Sequence, residues 1–205
     1  MTVEAIVFDF GGVLLEWNPR YLYRKMFSDE REMEYFVTQV CSPAWNASLD
    51  KGKPFAQGVK ELTALYPQYA EQIKAYDTRW EEMRGSVIQG SVDLLYRLKK
   101  RYPLYGLTNW SAEKFALTRP RYDFFKLFDG IVISGEEKEI KPEPRLFEIL
   151  IKRYRLAPEK TVFTDDSQPN IETALKLGFQ AIRFETPEKL ERALREKGVL
   201  PDGKA

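Results

Sequence analysis

The sequence predicts an α/β fold: a doubly wound parallel sheet with an α-helical insertion near its start. Three observations predict it. Five short apolar runs are near-continuous rather than alternating, as in strands covered on both faces. From about residue 88 onward the later runs alternate with amphipathic helical segments, which argues for parallel strands joined by crossover helices. Between residues 16 and 87 the alternation stops and only helical patterns appear.

Taken in order, Ala5-Ile6-Val7-Phe8-Asp9 is the first expected strand. Helices are expected over 21–26, 30–40, 55–66 and 69–83, with no strand of comparable quality among them. Pro43, Pro54 and Pro67 punctuate this stretch, and Trp17, Trp45 and Trp80 are expected to form its small core, since aromatics carry most of such a core's buried area. Ser91 is expected to N-cap a helix whose apolar face is Leu94, Leu95 and Leu98. The cluster Lys99-Lys100-Arg101 suits the solvated C-terminal end of that helix. Strands follow at Leu104-Tyr105-Gly106-Leu107-Thr108-Asn109 and Gly130-Ile131-Val132-Ile133. The next helix carries Leu146, Ile149, Leu150 and Tyr154 on one face, with Pro142 and Pro144 near its start. A strand over 161–166 leads to a helix with Ile171, Ala174, Leu175 and Leu177, ended by Gly178. Ala181-Ile182-Arg183-Phe184 and a helix with Leu190, Ala193 and Leu194 complete the chain. The expected division is a core of residues 1–15 and 88–205, interrupted by a helical unit of residues 16–87.

Composition excludes several chemistries. The 205 residues contain no histidine and one cysteine, Cys41. A Ser-His-Asp triad, a Cys-His pair, a histidine-ligated zinc, a four-cysteine zinc site and a disulfide framework are therefore impossible. Acid–base work falls to Asp, Glu, Lys, Tyr or a bound metal. With 32 Lys+Arg against 31 Asp+Glu there is no basic excess of the kind a nucleic-acid binder shows. The first apolar stretch is interrupted by Glu4 and ends at Asp9, so neither a signal peptide nor a membrane span is expected, and the cytoplasm is the default location. Oligomeric state is not readable from the sequence.

In a doubly wound sheet, ligands bind outside the carboxyl ends of the strands. Asp9, Thr108-Asn109 and Asp165-Asp166 stand at such ends, and Lys141 precedes a helix after a further strand. Clustered carboxylates repel one another unless a cation lies between them. Oxygen ligands without His or Cys select Mg²⁺. A lysine and a hydroxyl beside such an ion suit phosphate charge. Each residue also has an ordinary reading: Asp165 or Asp166 as a helix N-cap, Thr108 as a plain strand end, Lys141 as a surface lysine, Gly11-Gly12 as a bare turn.

The segments Asp9-Phe10-Gly11-Gly12-Val13-Leu14, Leu107-Thr108-Asn109, Ile140-Lys141-Pro142 and Phe163-Thr164-Asp165-Asp166-Ser167-Gln168-Pro169-Asn170 resemble the four ordered motifs of the haloacid dehalogenase superfamily of hydrolases. The insertion looks like the helical cap that the first capped subfamily places after its first motif. The resemblance implies a Rossmann-like core and a set of roles. Asp9 is the nucleophile. Asp9, the Gly11 carbonyl and Asp166 hold Mg²⁺, with Asp165 and Asn170 behind them. Thr108, Asn109 and Gly12 contact the phosphoryl group, and Lys141 balances charge between it and Asp9. The function implied is an Mg²⁺-dependent phosphatase of a small phosphorylated metabolite, a sugar phosphate among the candidates, working through an aspartyl-phosphate. The alternatives are a metal-free 2-haloacid dehalogenase using the same aspartate, and a homologue that binds phospho-ligands with little turnover.

One departure matters. Most phosphatases of the superfamily carry a second Asp two residues after the nucleophile, which protonates the leaving group and then activates water. Here that position is Gly11. The substitute must be another carboxylate, Lys, Tyr, the substrate or metal-bound water, and its help is worth ~10²–10⁴ in rate. Glu16 is close in sequence but is not assigned the role. Specificity is expected from Trp17, Asn18, Arg20, Trp45 and Arg79 of the insertion, while Trp110 is expected to seal the sheet edge rather than touch substrate.

Overall fold

In the computed structural model, which describes residues 2–201, the apolar runs become strands because their alternate side chains enter two different cores. The strands are β1 (Ala5–Phe8), β2 (Leu15–Trp17), β3 (Arg84–Val87), β4 (Leu104–Thr108), β5 (Gly130–Ile133), β6 (Thr161–Asp165) and β7 (Gln180–Arg183). Five of them form a parallel sheet in the order β5-β4-β1-β6-β7. Ile6, Phe8 and Val162 pack into the core on one face, and Val7, Leu107 and Phe163 into the core on the other. With both faces covered, a strand needs no polar alternation.

The strand order fixes the site. From the central β1 the chain runs outward through β4 and β5, then returns to lay β6 on β1's other side. That reversal opens a crevice beyond the carboxyl ends of β1, β4 and β6. Phe10 anchors the chain just past β1: its buried ring meets Phe125 and Phe128 edge-on, each at 5.1 Å. The ring lies against Gly106 of β4, where any side chain would collide with it.

Between β2 and β3 lie α1 (Arg20–Tyr23), α2 (Glu30–Tyr35) with a π-helical turn (Phe36–Val40), α3 (Pro43–Asp50), α4 (Phe55–Leu65) and α5 (Ala70–Thr78), the last followed by a 3₁₀ turn (Trp80–Met83). Helices α6 (Gln89–Lys99), α7 (Ala112–Thr118), α8 (Ser134–Glu137), α9 (Pro144–Tyr154), α10 (Gln168–Lys176) and α11 (Pro187–Glu196) belong to the sheet layers. No helix among the described residues is long and apolar enough to cross a membrane.

Several expectations are corrected. The stretch read as strand-free carries most of an antiparallel ribbon, β2 with β3, across its two ends. Its strands are too short and mixed to stand out, and Glu16 joins them by accepting from the Ser86 amide and hydroxyl at 3.2 and 3.0 Å. Helix α3 was not expected, although Ser42 caps it through the Trp45 amide and Pro43 opens it. Ser91 is not an N-cap: α6 starts at Gln89, the Ile88 carbonyl receives the amides of Ser91 and Val92, and the Ser91 hydroxyl is buried without a partner. The helices expected over 21–26, 30–40 and 69–83 are shorter, each breaking into tighter or wider turns.

Candidate active site

Three strand ends and the loop before α9 bring the expected residues together. Asp9 follows β1, Asn109 follows β4, Asp165 ends β6 and Asp166 follows it. Lys141 reaches in from the loop before α9, its side chain fully buried. Its Nζ lies 2.7 Å from Asp165 Oδ2 and 3.0 Å from Asp9 Oδ1, and donates to the Leu107 carbonyl at 2.7 Å. Asn109 fixes the lysine's backbone by accepting from its amide and donating to its carbonyl, both at 2.9 Å. The Asn109 side chain is thus a clamp on Lys141.

Asp165 has little capacity left. Oδ1 accepts from the Ser167 amide and Asn170 Nδ2, both at 2.9 Å, and Oδ2 accepts from Lys141 and, at 3.0 Å, from Asn170. Asp9 is engaged at Oδ1 alone, by the Phe10 amide at 2.7 Å and Lys141. The Asp166 carboxylate is exposed and takes no side-chain hydrogen bond from another described residue. Gly12 allows this closeness: it has φ +71° and a Cβ there would strike the Asp166 carboxylate. Thr108 is buried at the end of β4, just before Asn109, and does not line the cavity described below.

The electrostatics are unbalanced. One oxygen from each of Asp9, Asp165 and Asp166 lies within 4.8 Å of the others, with a single ammonium among them. Burial pushes the Asp9 carboxyl up to about 7, against the pull of Lys141, and Asp165 and Asp166 add to the rise. Asp166 is open to solvent by surface area, yet the protein packed around its carboxyl desolvates it enough to raise it, again with Asp165 contributing. Burial opposes the charge on Lys141, yet Asp165 and Asp9 together hold its ammonium above the ordinary value. The donor set suits a hard divalent cation: two carboxylates with unengaged oxygens, surplus negative charge, and no imidazole or thiolate. Asp9, Asp166 and the Gly11 carbonyl are the residues that could hold it.

The cluster floors a cavity of about 430 Å³, within the range of small-ligand sites. Its far walls are Glu16, Trp17, Asn46, Asp50, Trp80 and Arg84. Trp17 alone of the five expected specificity residues lines it. Asn18 accepts from the Arg20 amide at the start of α1, Arg20 pairs with Glu34, Arg79 pairs with Glu82, and Trp45 packs edge-on against Tyr76. Trp17, expected in a small core, instead faces the cavity, whereas Trp80 is buried with the core as expected and also lines the cavity. Trp110 also lines it, tilted against Trp80 at 5.7 Å, with its buried Nε1 lacking a partner.

Asn46, Asp50 and Arg84 were missed from sequence. Asn46 and Asp50 lie four residues apart on α3, joined by an Nδ2 to Oδ2 bond of 2.8 Å. Burial pushes the Asp50 carboxyl up to about 7, against hydrogen bonds from the Ser111 backbone and Asn46. The Ser42-Pro43 start of α3 was the signal that could have found this pair.

A family model described as a haloacid dehalogenase-like hydrolase matches residues 3–178. The sesquiterpene phosphatase astK of Aspergillus oryzae is 27% identical over 190 residues, 89% of this chain and 90% of its own. The D-ribitol-5-phosphate phosphatase of Bacteroides thetaiotaomicron is 26% identical, over 89% of this chain and 92% of its own. A HAD family enzyme from the same bacterium, solved as a magnesium complex, shares the fold with a TM-score of 0.75 at 21% identity, covering 95% of this chain and 100% of that one.

Proposed function

The chain belongs to the haloacid dehalogenase-like hydrolase family, and from that premise we propose that it is an Mg²⁺-dependent phosphatase of a small phosphorylated metabolite, a sugar or polyol phosphate. The observation that carries the proposal is the cluster itself. Asp9 is held in place at Oδ1 beside a buried ammonium, at the floor of a cavity with surplus negative charge. Mg²⁺, when bound, would supply the charge neutralisation for an incoming phosphoryl group that Lys141, already shared between Asp9 and Asp165, cannot supply alone.

The protein's own residues do the rest. Asp9 attacks phosphorus through its carboxylate, forming an aspartyl-phosphate and expelling the alcohol. Lys141 keeps Asp9 oriented and offsets charge between it and the phosphoryl oxygens. Asp165 and Asn170 fix Lys141 from behind, and Asn109 clamps its backbone. The turn at Gly12 contacts the phosphoryl oxygens, while Thr108, buried just before Asn109, supports that rim from beneath. The unit 16–87 acts as a cap, presenting Trp17, Trp80 and Arg84 to the rest of the substrate. The relative named for D-ribitol-5-phosphate supports this substrate class, as does the cavity's mix of indole rings and polar groups.

The test is phosphate release from a panel of sugar and polyol phosphates, with Mg²⁺ and with EDTA, beside Asp9→Asn. Release that needs both Mg²⁺ and Asp9 is expected. Halide release from 2-chloropropionate that persists in EDTA, without phosphate release, would overturn the proposal.

A further inference from the structure

Position 11 has no side chain, and a Cβ built there meets nothing within 4 Å. No packing reason keeps a carboxylate out, yet none is present. We propose that Asp50, delivered by α3 from the insertion, moves the protons of the reaction: it protonates the departing alcohol and then accepts a proton from the attacking water. The proposal rests on the phosphatase reading above.

Elimination among the titratable groups lining the cavity leads to Asp50. Asp9 is the nucleophile. Asp166 belongs with the cation. The Lys141 ammonium is locked between Asp165, Asp9 and the Leu107 carbonyl. Arg84 pairs with Glu81 at 2.7 Å. Glu16 is held to the β2–β3 ribbon, its Oε2 accepting from both the amide and the hydroxyl of Ser86.

The structure also positions Asp50 for the task. Asn46 donates to its Oδ2 at 2.8 Å, and the buried Tyr76 hydroxyl donates to Asn46 Oδ1 at 2.7 Å, which fixes the amide's orientation. The Asp50 carbonyl accepts from Ser134 Oγ at 2.6 Å, and that oxygen accepts from the Trp110 amide at 2.8 Å. Asp50 is therefore tied to the rim loop that carries Asn109. Adjacent Lys51 turns away to Glu143 and Glu139, at 2.9 and 3.6 Å. Asp50 closes α3, where the helix's carbonyl end disfavours negative charge. Burial lifts its carboxyl to about 7, the range in which a group both gives and takes a proton at neutral pH.

The steps balance. Asp9 oxygen bonds to phosphorus while the bond from phosphorus to the ester oxygen breaks. The electron pair stays on that oxygen, which takes the Asp50 proton and leaves as the alcohol. Water oxygen then attacks phosphorus, its proton passes to the Asp50 carboxylate, and the bond to Asp9 breaks. Inorganic phosphate leaves, and both aspartates return to their starting states.

The experiment compares kcat/KM for glycerol 2-phosphate, whose alkoxide must be protonated to leave, and p-nitrophenyl phosphate, whose phenolate need not be. Asp50→Asn is expected to lower kcat/KM on glycerol 2-phosphate by ~10² or more and on p-nitrophenyl phosphate by roughly tenfold at most. Asn46→Ala, which frees the Asp50 carboxyl, should show the same selectivity more weakly. Adding Gly11→Asp to Asp50→Asn should restore the glycerol 2-phosphate reaction at least in part. Equal losses on both substrates, no loss on either, or no recovery in the double variant overturns the role of Asp50. A wild-type protein that releases no Asp9-dependent phosphate from either substrate overturns the phosphatase reading and this proposal with it.

Discussion

Asp50→Asn should make the protein more stable at pH 8 and leave it nearly unchanged at pH 5. An aspartate ordinarily ionises near 3.8, and burial lifts Asp50 to about 7. Between those values the folded chain holds a proton that the unfolded chain has released. Stability is therefore greatest below the ordinary value and is lost as pH rises through about 7. A difference of about 3 in pKa corresponds to about 4 kcal/mol. Water in the cavity screens part of this, and the variant loses an acceptor for the Ser111 amide, worth about 1 kcal/mol. A net gain of about 2 kcal/mol at pH 8 remains, which for a chain of this size raises Tm by roughly 4–8 °C. Asp9 titrates in both proteins, so the difference between them isolates Asp50. Thermal melts of both at pH 5 and pH 8 make the measurement. The same Tm difference at the two pH values would refute the burial argument.

Lys141→Met should cost about 3–5 kcal/mol at pH 7.5, because Asp9 and Asp165 are left buried without their cation. Part of that loss should return at pH 5 as Asp9, already raised by burial, takes up a proton, read by urea unfolding at both pH values. Mg²⁺ at a hundred times its Kd should raise the unfolding free energy by about 2.7 kcal/mol. Asp166→Ala should abolish that gain in a thermal-shift titration. Gly12→Ala should cost about 1–2 kcal/mol for its left-handed backbone and weaken Mg²⁺ binding, because the new methyl displaces the Asp166 carboxylate. Calorimetric titration of Mg²⁺ checks the second effect.

The sheet could be read from sequence because burial on both faces of a parallel strand leaves a signature in consecutive residues. Val7 and Phe8 enter opposite cores, so both must be apolar. The polar residue ending each such run is then conspicuous, and that is why Asp9, Asn109, Asp165 and Asp166 were found. The cavity's far wall had no such signature. Trp80 is 7% exposed whether one describes it as core or as cavity lining, so hydrophobicity could not separate the two. Arg20 and Arg79 looked available for a ligand, but carboxylates 14 and 3 residues further on consume them. Asp50 was hidden for a different reason. Which face of α3 meets the rim is decided by its docking through Ser134, a contact 84 residues away in the chain.

The charge at the rim carries a last consequence. Lys141 cannot serve three carboxylates equally: it lies closer to Asp165, at 2.7 Å, than to Asp9, at 3.0 Å. Asp9 is left raised by burial and by its acidic neighbours. A phosphate entering the cavity brings further negative charge to the same place, so it binds poorly until a cation is there. Linkage makes the effect mutual: whatever factor Mg²⁺ adds to phosphate affinity, phosphate adds to Mg²⁺ affinity. Calorimetric titration of inorganic phosphate with and without Mg²⁺, and of Mg²⁺ with and without phosphate, should give the same factor both ways, roughly tenfold or more. In Asp166→Ala the coupling should vanish. Equal phosphate affinity with and without Mg²⁺ would mean that Lys141 alone neutralises the cluster, against the geometry of its contacts.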